Sequence, residues 1–186
     1  MLLDSETGKL ITKNGRDIVD DDPNGDGFPW APKTVKDLIV GLGDSLIDAN
    51  QATYNINDVT KDKHLGLYFS ASWCPPCKTF TPILIDLYTK FFSKIEIIFL
   101  SLDRDEASLT SYFQNMPWKS LKFADQQKHT SQIAQKFEIK GIPALVILNS
   151  DFNVLSTNAR NILEKDANFE LFPWSSNTVR NLETEL

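Results

Sequence analysis

The chain has 186 residues, and its hydrophobic content of 41%, with 12 Phe and 4 Trp, is enough for one domain with extensions. Its net charge is −6 and it has no basic block, so neither nucleic acid nor an anionic membrane is expected as a partner. No apolar run approaches about 18 residues and the N-terminus lacks a positively charged region, so neither a membrane span nor a signal peptide is predicted.

The N-terminal part is predicted to contain a hairpin, an acidic loop and a short helix. Residues 1–19 alternate apolar stretches with polar turns, which is typical of a hairpin. Residues 20–27 are expected to form an exposed acidic loop, because their spacing does not match a calcium-binding EF-hand loop. A short helix is predicted to begin after Thr34, its N-cap, and to end at Gly41 or Gly43.

The rest of the chain, residues 44–186, is predicted to be an α/β domain with a mixed central β-sheet flanked by helices. Its predicted elements are, in chain order, a strand pair (45–48 and 52–56), a central strand (66–71), a long helix (75–92), a buried strand (94–102), a short helix (103–115), an extended piece (121–123), a second helix (128–137), a hairpin (144–148 and 152–156) and a terminal helix (177–186). The run 94–102 is almost continuously apolar, which is typical of a buried parallel strand, so the long helix is its crossover. Pro82 is expected to kink that helix.

Cys74 and Cys77 are the only cysteines, and they stand between the central strand and the long helix. The free amides and partial positive charge of a helix N-terminus favour a thiolate, so we expect a lowered pKa for Cys74. Because Pro75 and Pro76 have no N–H, the first amides that can face this sulfur belong to Cys77 and Lys78. Cys74 is predicted to be the exposed attacking thiol, and Cys77 the buried resolving thiol.

Three other interpretations of the cysteine pair stay open but are weaker. A zinc site needs about four ligands, and His64 and His129 supply no second cluster, so no metal or other cofactor is expected. A structural disulfide across so short a loop would constrain little of the unfolded chain, and two buried, unreactive thiols are the third alternative. Without a predicted secretion signal, a redox dithiol in a reducing compartment is favoured, with the cytoplasm as the expected location and the nucleus as a second.

An internal repeat relates the N-terminal segment, residues 1–43, to the end of the chain. Phe28-Pro29-Trp30 recurs as Phe172-Pro173-Trp174, and other identical pairs share the same offset. The segment is therefore predicted to repeat the tail of a preceding module of the same kind. Because it lacks a CxxC motif it should not be catalytic, and its strands are expected either to extend the sheet at an edge or to pack as an appendage. The alternative is a coincidental pair of hairpin-plus-helix segments.

From about residue 60 to residue 174 the chain resembles the tryparedoxin and nucleoredoxin branch of the thioredoxin superfamily. The residues that carry the resemblance are Tyr68–Cys77 (YFSASWCPPC), Phe80-Thr81-Pro82, Tyr112-Phe113, Met116-Pro117-Trp118, Gly141-Ile142-Pro143 and Phe172-Pro173-Trp174. The resemblance implies a thioredoxin fold, here with an extra N-terminal β-hairpin and helix segment, and reversible dithiol–disulfide exchange. It also implies a cis bond between Ile142 and Pro143, which leaves the Ile142 backbone to pair with an extended substrate.

Three positions bear on how far the resemblance extends. Thioredoxin carries a buried acid six residues before its first cysteine, where this chain has Tyr68, so the proton acceptor for Cys77 is not identified and Asp103 is a weak candidate. The run Ser101-Leu102-Asp103-Arg104 lacks the Trp and the acidic cluster of tryparedoxins, which argues against recognition of a cationic polyamine thiol such as trypanothione. Arg160 is shared with that branch, but a structural ion pair is favoured over substrate binding.

The predicted function is that of a protein-disulfide reductase, and the alternative is a redox-sensing protein-interaction module. The expected partners are protein disulfides and an upstream thiol or reductase, and the sequence identifies neither of them. The oligomeric state is not predicted. The predicted catalytic residues are Cys74 and Cys77, and the predicted substrate contacts are Trp73, Pro75, Pro76, Ile142 and Pro143.

Overall fold

The computed structural model describes residues 2–3, 7–8, 10–12, 15–25, 27, 33–166, 168–172, 174 and 177–178. The chain divides into two compact units, Met1–Thr34 and Val35–Leu186. No helix in the described part is long and apolar enough to cross a membrane. The predicted anchor Phe28-Pro29-Trp30 and most of the predicted terminal helix 177–186 lie outside the described residues.

The described part of the first unit contains a two-stranded antiparallel sheet and a helix. Strands β1 (Leu2–Leu3) and β2 (Leu10–Thr12) pair with each other in a sheet of their own, so they do not extend the larger sheet. Helix α1 (Gly15–Asp21) follows. The prediction that residues 16–19 belong to the hairpin, and that a loop begins at residue 20, was wrong. An ion pair between Arg16 and Asp20, at 3.7 Å and one helical turn apart, suits the helix.

The second unit, over its described residues, is a seven-stranded mixed sheet flanked by helices, as predicted. Its strands are β3 (Leu46–Ile47), β4 (Thr53–Tyr54), β5 (His64–Ser70), β6 (Ile95–Ser101), β7 (Lys119–Leu121), β8 (Ala144–Leu148) and β9 (Val154–Ser156). Its helices are α2 (Val35–Val40), α3 (Ile56–Thr60), α4 (Pro75–Phe91), α5 (Glu106–Phe113), α6 (Phe123–Lys136) and α7 (Ala159–Lys165). The strand order is β4-β3-β7-β6-β5-β8-β9.

The centre of the sheet positions the cysteine pair. Strand β5 runs parallel to β6 and antiparallel to β8, and every residue of β6 is buried. This burial explains why both central strands read as nearly continuous apolar runs. Helix α4 connects β5 to β6 and continues through Pro82 as a single helix; the kink there stays a prediction. The pair therefore lies where the chain leaves the central strand and enters the crossover helix.

Three helices differ from the predicted elements. Helix α3 replaces a predicted turn, and the Asn55 side chain caps it by accepting the Asn57 amide at 2.9 Å. Helix α6 begins at Phe123, before the predicted start. Its first turns were not predicted because Gln126, which is buried and hydrogen-bonded, interrupts the apolar pattern there. Helix α7 was not predicted, because so short a helix shows no apolar period.

The boundary between the two units also differs from the predicted one. It falls after Thr34 instead of after Gly43. Helix α2 belongs with the second unit because its Leu38 and Ile39 are buried in the same apolar cluster as Leu65 of β5. The start and type of α2 were otherwise predicted correctly.

The elements at the two ends of the chain correspond at the offset of the sequence repeat. Helices α1 and α7 are separated by the same offset as the two Phe-Pro-Trp motifs, and so are strands β2 and β9. Strand β1 matches the end of β8 once a single extra residue in the first turn is allowed for. The order of these elements is the one that a repeated tail would give. The interpretation of residues 1–43 as the tail of a preceding module stays a prediction.

A buried carboxyl group lies at the start of β6, the end of that strand away from the cysteines. Glu96 is 3% exposed, accepts a hydrogen bond from the Tyr88 hydroxyl at 3.0 Å and lies 3.7 Å from the Lys63 ammonium. Burial raises the pKa of Glu96 above its ordinary value, although Lys119 and Lys63 act in the opposite direction. Its ionisation therefore costs the folded state free energy.

Replacing Glu96 with Gln should flatten the pH dependence of stability. Because the pKa of Glu96 is raised on folding, the folded chain keeps a proton that the unfolded chain releases, and the free energy of unfolding falls as pH rises from the unfolded to the folded pKa. Urea unfolding of both proteins between about pH 4 and pH 8 should show a smaller fall in Glu96→Gln. Glu170→Gln, at an exposed position, should keep the wild-type profile. Identical profiles for Glu96→Gln and wild type would contradict the assignment.

Candidate active site

Cys74 and Cys77 are joined by a disulfide at the N-terminus of α4. Their Cα atoms are 5.3 Å apart. Cys74 is the N-cap of the helix, and the two prolines occupy its first two positions, where a backbone N–H would have no partner within the helix. The sequence Cys-Pro-Pro-Cys therefore starts the helix and closes the disulfide within the same turn.

The helix N-terminus directs one amide at the first sulfur, as predicted. The Cys77 N–H donates to Cys74 Sγ at 3.3 Å. The Lys78 N–H donates instead to the Cys74 carbonyl at 3.2 Å, where it closes the first helical turn. The prediction was therefore right for Cys77 and wrong for Lys78. That the reduced protein favours a thiolate at Cys74 stays a prediction.

Both cysteines are buried, which corrects the expectation of an exposed Cys74. Cys74 is 3% exposed and Cys77 is fully buried, so only the order of their exposure agrees with the prediction. Ala71 and Ile142 pack against the pair and cover it. The neighbouring Trp73, by contrast, is 59% exposed. Ala71 and Ile142 therefore limit the access of solvent to Cys74.

The Ile142–Pro143 peptide bond is cis, as predicted. It directly precedes β8, and Cys74 Sγ lies 3.8 Å from the Ile142 carbonyl oxygen. Ile142 is half-buried and Pro143 is buried. The structure thus brings the predicted substrate-contact residues together around the disulfide, from the helix side (Trp73, Pro75 and Pro76) and from the loop before β8 (Ile142 and Pro143).

Asp103, the candidate proton acceptor, holds the turn before Cys74 in place. Its Oδ1 accepts hydrogen bonds from the Ser72 amide at 2.9 Å and the Ser72 hydroxyl at 2.7 Å, and its Oδ2 accepts one from the Ser101 hydroxyl at 2.9 Å. The Trp73 indole N–H also donates to the Leu102 carbonyl at 3.4 Å. These bonds tie the end of β6 to the residues before the first thiol. They support a positioning role for Asp103.

A group of hydroxyls lies beside Cys77, and the sequence analysis did not identify it. Thr81 Oγ1 donates to the Cys77 carbonyl at 2.9 Å and lies 2.8 Å from both the Tyr68 and the Tyr112 hydroxyl oxygens. Tyr112 in turn lies 3.1 Å from the Ser70 hydroxyl. We call Tyr68, Ser70, Thr81 and Tyr112 the hydroxyl cluster. The four-residue step from Cys77 to Thr81 along one helix was the available signal.

Tyr68, a member of the hydroxyl cluster, stands at the sequence position where the family pattern of thioredoxin has a buried acid. Burial raises the pKa of Tyr68 above its ordinary value, so its hydroxyl keeps its proton at neutral pH. Thr81 is buried and Tyr68 is fully buried. The cluster is therefore a hydrogen-bonded support for the carbonyl of the second cysteine.

Two remaining predictions concern Arg160 and metal ions. Arg160 forms an ion pair with Glu164 at 3.1 Å, one turn along α7, which is the structural pairing that the sequence analysis favoured. Among the residues that the structure describes, no group of three or more His, Cys, Asp or Glu is placed to hold a metal ion.

Comparison with known proteins places these features in a family. Residues 62–154 match the family model described as thioredoxin-like. Nucleoredoxin of Danio rerio is 35% identical over 185 residues, which are 98% of this chain and 43% of that protein, so the chain spans less than half of its length. Tryparedoxin of Trypanosoma brucei brucei is 38% identical over 115 residues, 60% of this chain and 79% of that protein.

A solved structure agrees with the sequence comparisons. Native tryparedoxin I from Crithidia fasciculata aligns with a TM-score of 0.69 and 35% identity, covering 76% of this chain and 97% of that one. The thioredoxin fold and the resemblance predicted from the Cys-Pro-Pro-Cys region are thereby confirmed.

Replacing Thr81 with Val should destabilise the protein by about 1–3 kcal/mol, because each buried hydrogen bond that it removes contributes about 0.5–1.5 kcal/mol. The substitution keeps the side-chain shape but removes the bonds of Thr81 Oγ1 to the Cys77 carbonyl and to the Tyr68 and Tyr112 hydroxyls. Tyr68 keeps its 3.4 Å bond to that carbonyl, and Tyr112 keeps its 3.1 Å contact with the Ser70 hydroxyl. Urea unfolding of the oxidised proteins measures the change. The control is Thr79→Val on an exposed position of the same helix, which should change stability by less than about 0.5 kcal/mol. Equal effects at the two positions would contradict a supporting role for the cluster.

Proposed function

The chain belongs to the thioredoxin-like family, in the branch of the nucleoredoxins and tryparedoxins, and we propose that it reduces disulfides in other proteins by dithiol–disulfide exchange. One observation carries the proposal: the Cys74–Cys77 disulfide lies at a helix N-terminus beside the cis Ile142–Pro143 bond. A helix N-terminus stabilises a thiolate, and a second thiol within the same turn is near enough to release a bound partner.

The exchange has two steps. In the reduced protein the Cys74 thiolate attacks one sulfur of the substrate disulfide and forms a bond to it. The substrate S–S bond breaks, and the other substrate sulfur leaves as a thiolate and takes up a proton. Cys77, deprotonated, then attacks Cys74 Sγ, which releases the second substrate thiolate and forms the Cys74–Cys77 disulfide. Two electrons pass from the protein to the substrate. An upstream thiol or reductase returns them, in a compartment that keeps thiols reduced.

We assign the substrate contacts to the residues that surround the buried disulfide. An extended substrate segment donates a backbone N–H to the Ile142 carbonyl, which lies 3.8 Å from Cys74 Sγ. Trp73, exposed beside the first thiol, offers a flat apolar surface of the kind enriched at protein interfaces. Pro75 and Pro76, also exposed, present no N–H that would need a partner in the complex.

Serine variants of the two cysteines should separate their roles. Cys74→Ser should lower the reduction of insulin disulfides, with dithiothreitol as the reductant, to the uncatalysed rate because the attacking thiolate is gone. Cys77→Ser should accumulate a mixed disulfide between Cys74 and the substrate, visible by mass spectrometry and reversed by excess dithiothreitol. The double variant should trap nothing.

The outcomes also distinguish the alternative of a redox-sensing interaction module. Turnover that survives in Cys74→Ser, or a Cys77→Ser protein that traps no substrate, would contradict the exchange mechanism. Binding of a cellular partner that persists in both variants, with no turnover by the wild type, would favour the interaction module instead.

A further inference from the structure

A pocket with no assigned role lies between the end of β6 and one face of α6. It encloses about 610 Å³ and its lining is mainly apolar. Leu102 and Arg104 line it on the side of β6, and Phe123, Thr130 and Ala134 line it from α6. These α6 residues are spaced by seven and four positions, so one face of the helix forms this wall.

The pocket adjoins the proposed active site through the turn before Cys74. Asp103, which also lines the pocket, holds Ser72 with two hydrogen bonds, and the Trp73 indole donates to the Leu102 carbonyl. Trp73 is 59% exposed and Leu102 is 40% exposed. Both side chains are exposed and apolar; Trp73 directly precedes the first thiol in the chain, and Leu102 lines the pocket. A polypeptide that lies across Cys74 therefore has an apolar path into the pocket.

The charged groups of the pocket are Arg104 and Asp103. The Asp103 carboxylate is occupied by three hydrogen bonds from Ser72 and Ser101. The neighbouring Asp105 carboxylate is likewise occupied, because it caps α5 through the amide and hydroxyl of Ser108. Arg104 is exposed and forms no ion pair with any residue that the structure describes. Its guanidinium is therefore available to a carboxylate of a bound partner.

We propose that this pocket binds a segment of the protein substrate that carries an apolar side chain next to an acidic residue. The apolar side chain lies between Leu102 and the wall of α6, and the carboxylate pairs with Arg104, while the substrate cysteine lies over Cys74. The proposal rests on the proposed function, because it names the class of polypeptide that the active site accepts. Arg104 is then a residue that determines specificity without contacting the reacting sulfurs.

Binding of a peptide that cannot undergo exchange tests the pocket independently of the thiol chemistry. The probe is a blocked octapeptide with a central Ser in place of Cys, flanked by Leu and two Glu, and the comparison peptide has Lys in place of both Glu. With the oxidised full chain, the Glu peptide should bind about three- to five-fold more tightly, the range of an exposed ion pair. Its amide chemical-shift changes should include Leu102, Arg104 and Thr130.

Variants of the pocket should change the two peptides in different ways. Arg104→Glu should reverse the preference, so that the Lys peptide binds more tightly. Leu102→Ala should weaken both peptides about three-fold and keep the preference, because it removes apolar wall but no charge. The control is Lys128→Glu, which makes the same charge change at an exposed position of α6 outside the pocket lining and should keep the wild-type preference.

The result separates this proposal from the proposed function. If Arg104→Glu keeps the wild-type preference, or Lys128→Glu reverses it equally, the pocket proposal is overturned even when insulin reduction is normal. If the preference follows Arg104 but the wild-type protein reduces no disulfide, the pocket proposal holds and the reductase proposal fails. Shift changes confined to residues remote from α6 and residues 102–104 would also overturn the pocket proposal.

Discussion

The hydrogen bond from the Cys77 amide to Cys74 Sγ is the interaction on which the chemistry of this molecule depends. It forms because Cys74 is the N-cap of α4 and because the two prolines that follow have no N–H. Cys77 is therefore the first residue of the helix whose backbone N–H can donate a hydrogen bond. The same geometry places the two sulfurs within bonding reach and at the positive end of the helix dipole. A change that moved the helix start by one residue would shift the amide, the helix N-terminus and the second sulfur out of alignment with Cys74 together.

The surrounding structure holds that turn from two sides. Asp103 fixes Ser72 on one side, and the hydroxyl cluster fixes the Cys77 carbonyl through Thr81 on the other. Asp103 and Ser72 follow the ends of the central parallel strands, where β6 and β5 leave the sheet. The buried sheet thus supplies rigidity, and the polar side chains at its edge orient the turn through their hydrogen bonds.

The elements with strong patterns could be predicted from the sequence, and those shaped by tertiary contacts could not. The central strands, α4 and the hairpin of β8 and β9 have long apolar runs or clear turns, and the cysteine pair carries its chemistry in its spacing. Helices α3 and α7 are too short for a period to emerge. The burial of Cys74 depends on Ile142, which is distant in the chain. The hydroxyls of Tyr68, Thr81 and Tyr112 converge only after three elements have packed together.

The tie between Asp103 and Ser72 has an evolutionary consequence. It joins the rim of the pocket rigidly to the turn that carries the first thiol. Its hydrogen bonds involve the Ser72 backbone and the side chains of Ser72 and Asp103, and they do not involve the side chains of Leu102 or Arg104. Mutations at those two outward-facing positions leave the tie intact. Sequences descended from this one can therefore vary at Leu102 and Arg104 while they keep the hydrogen bonds that hold the turn before Cys74.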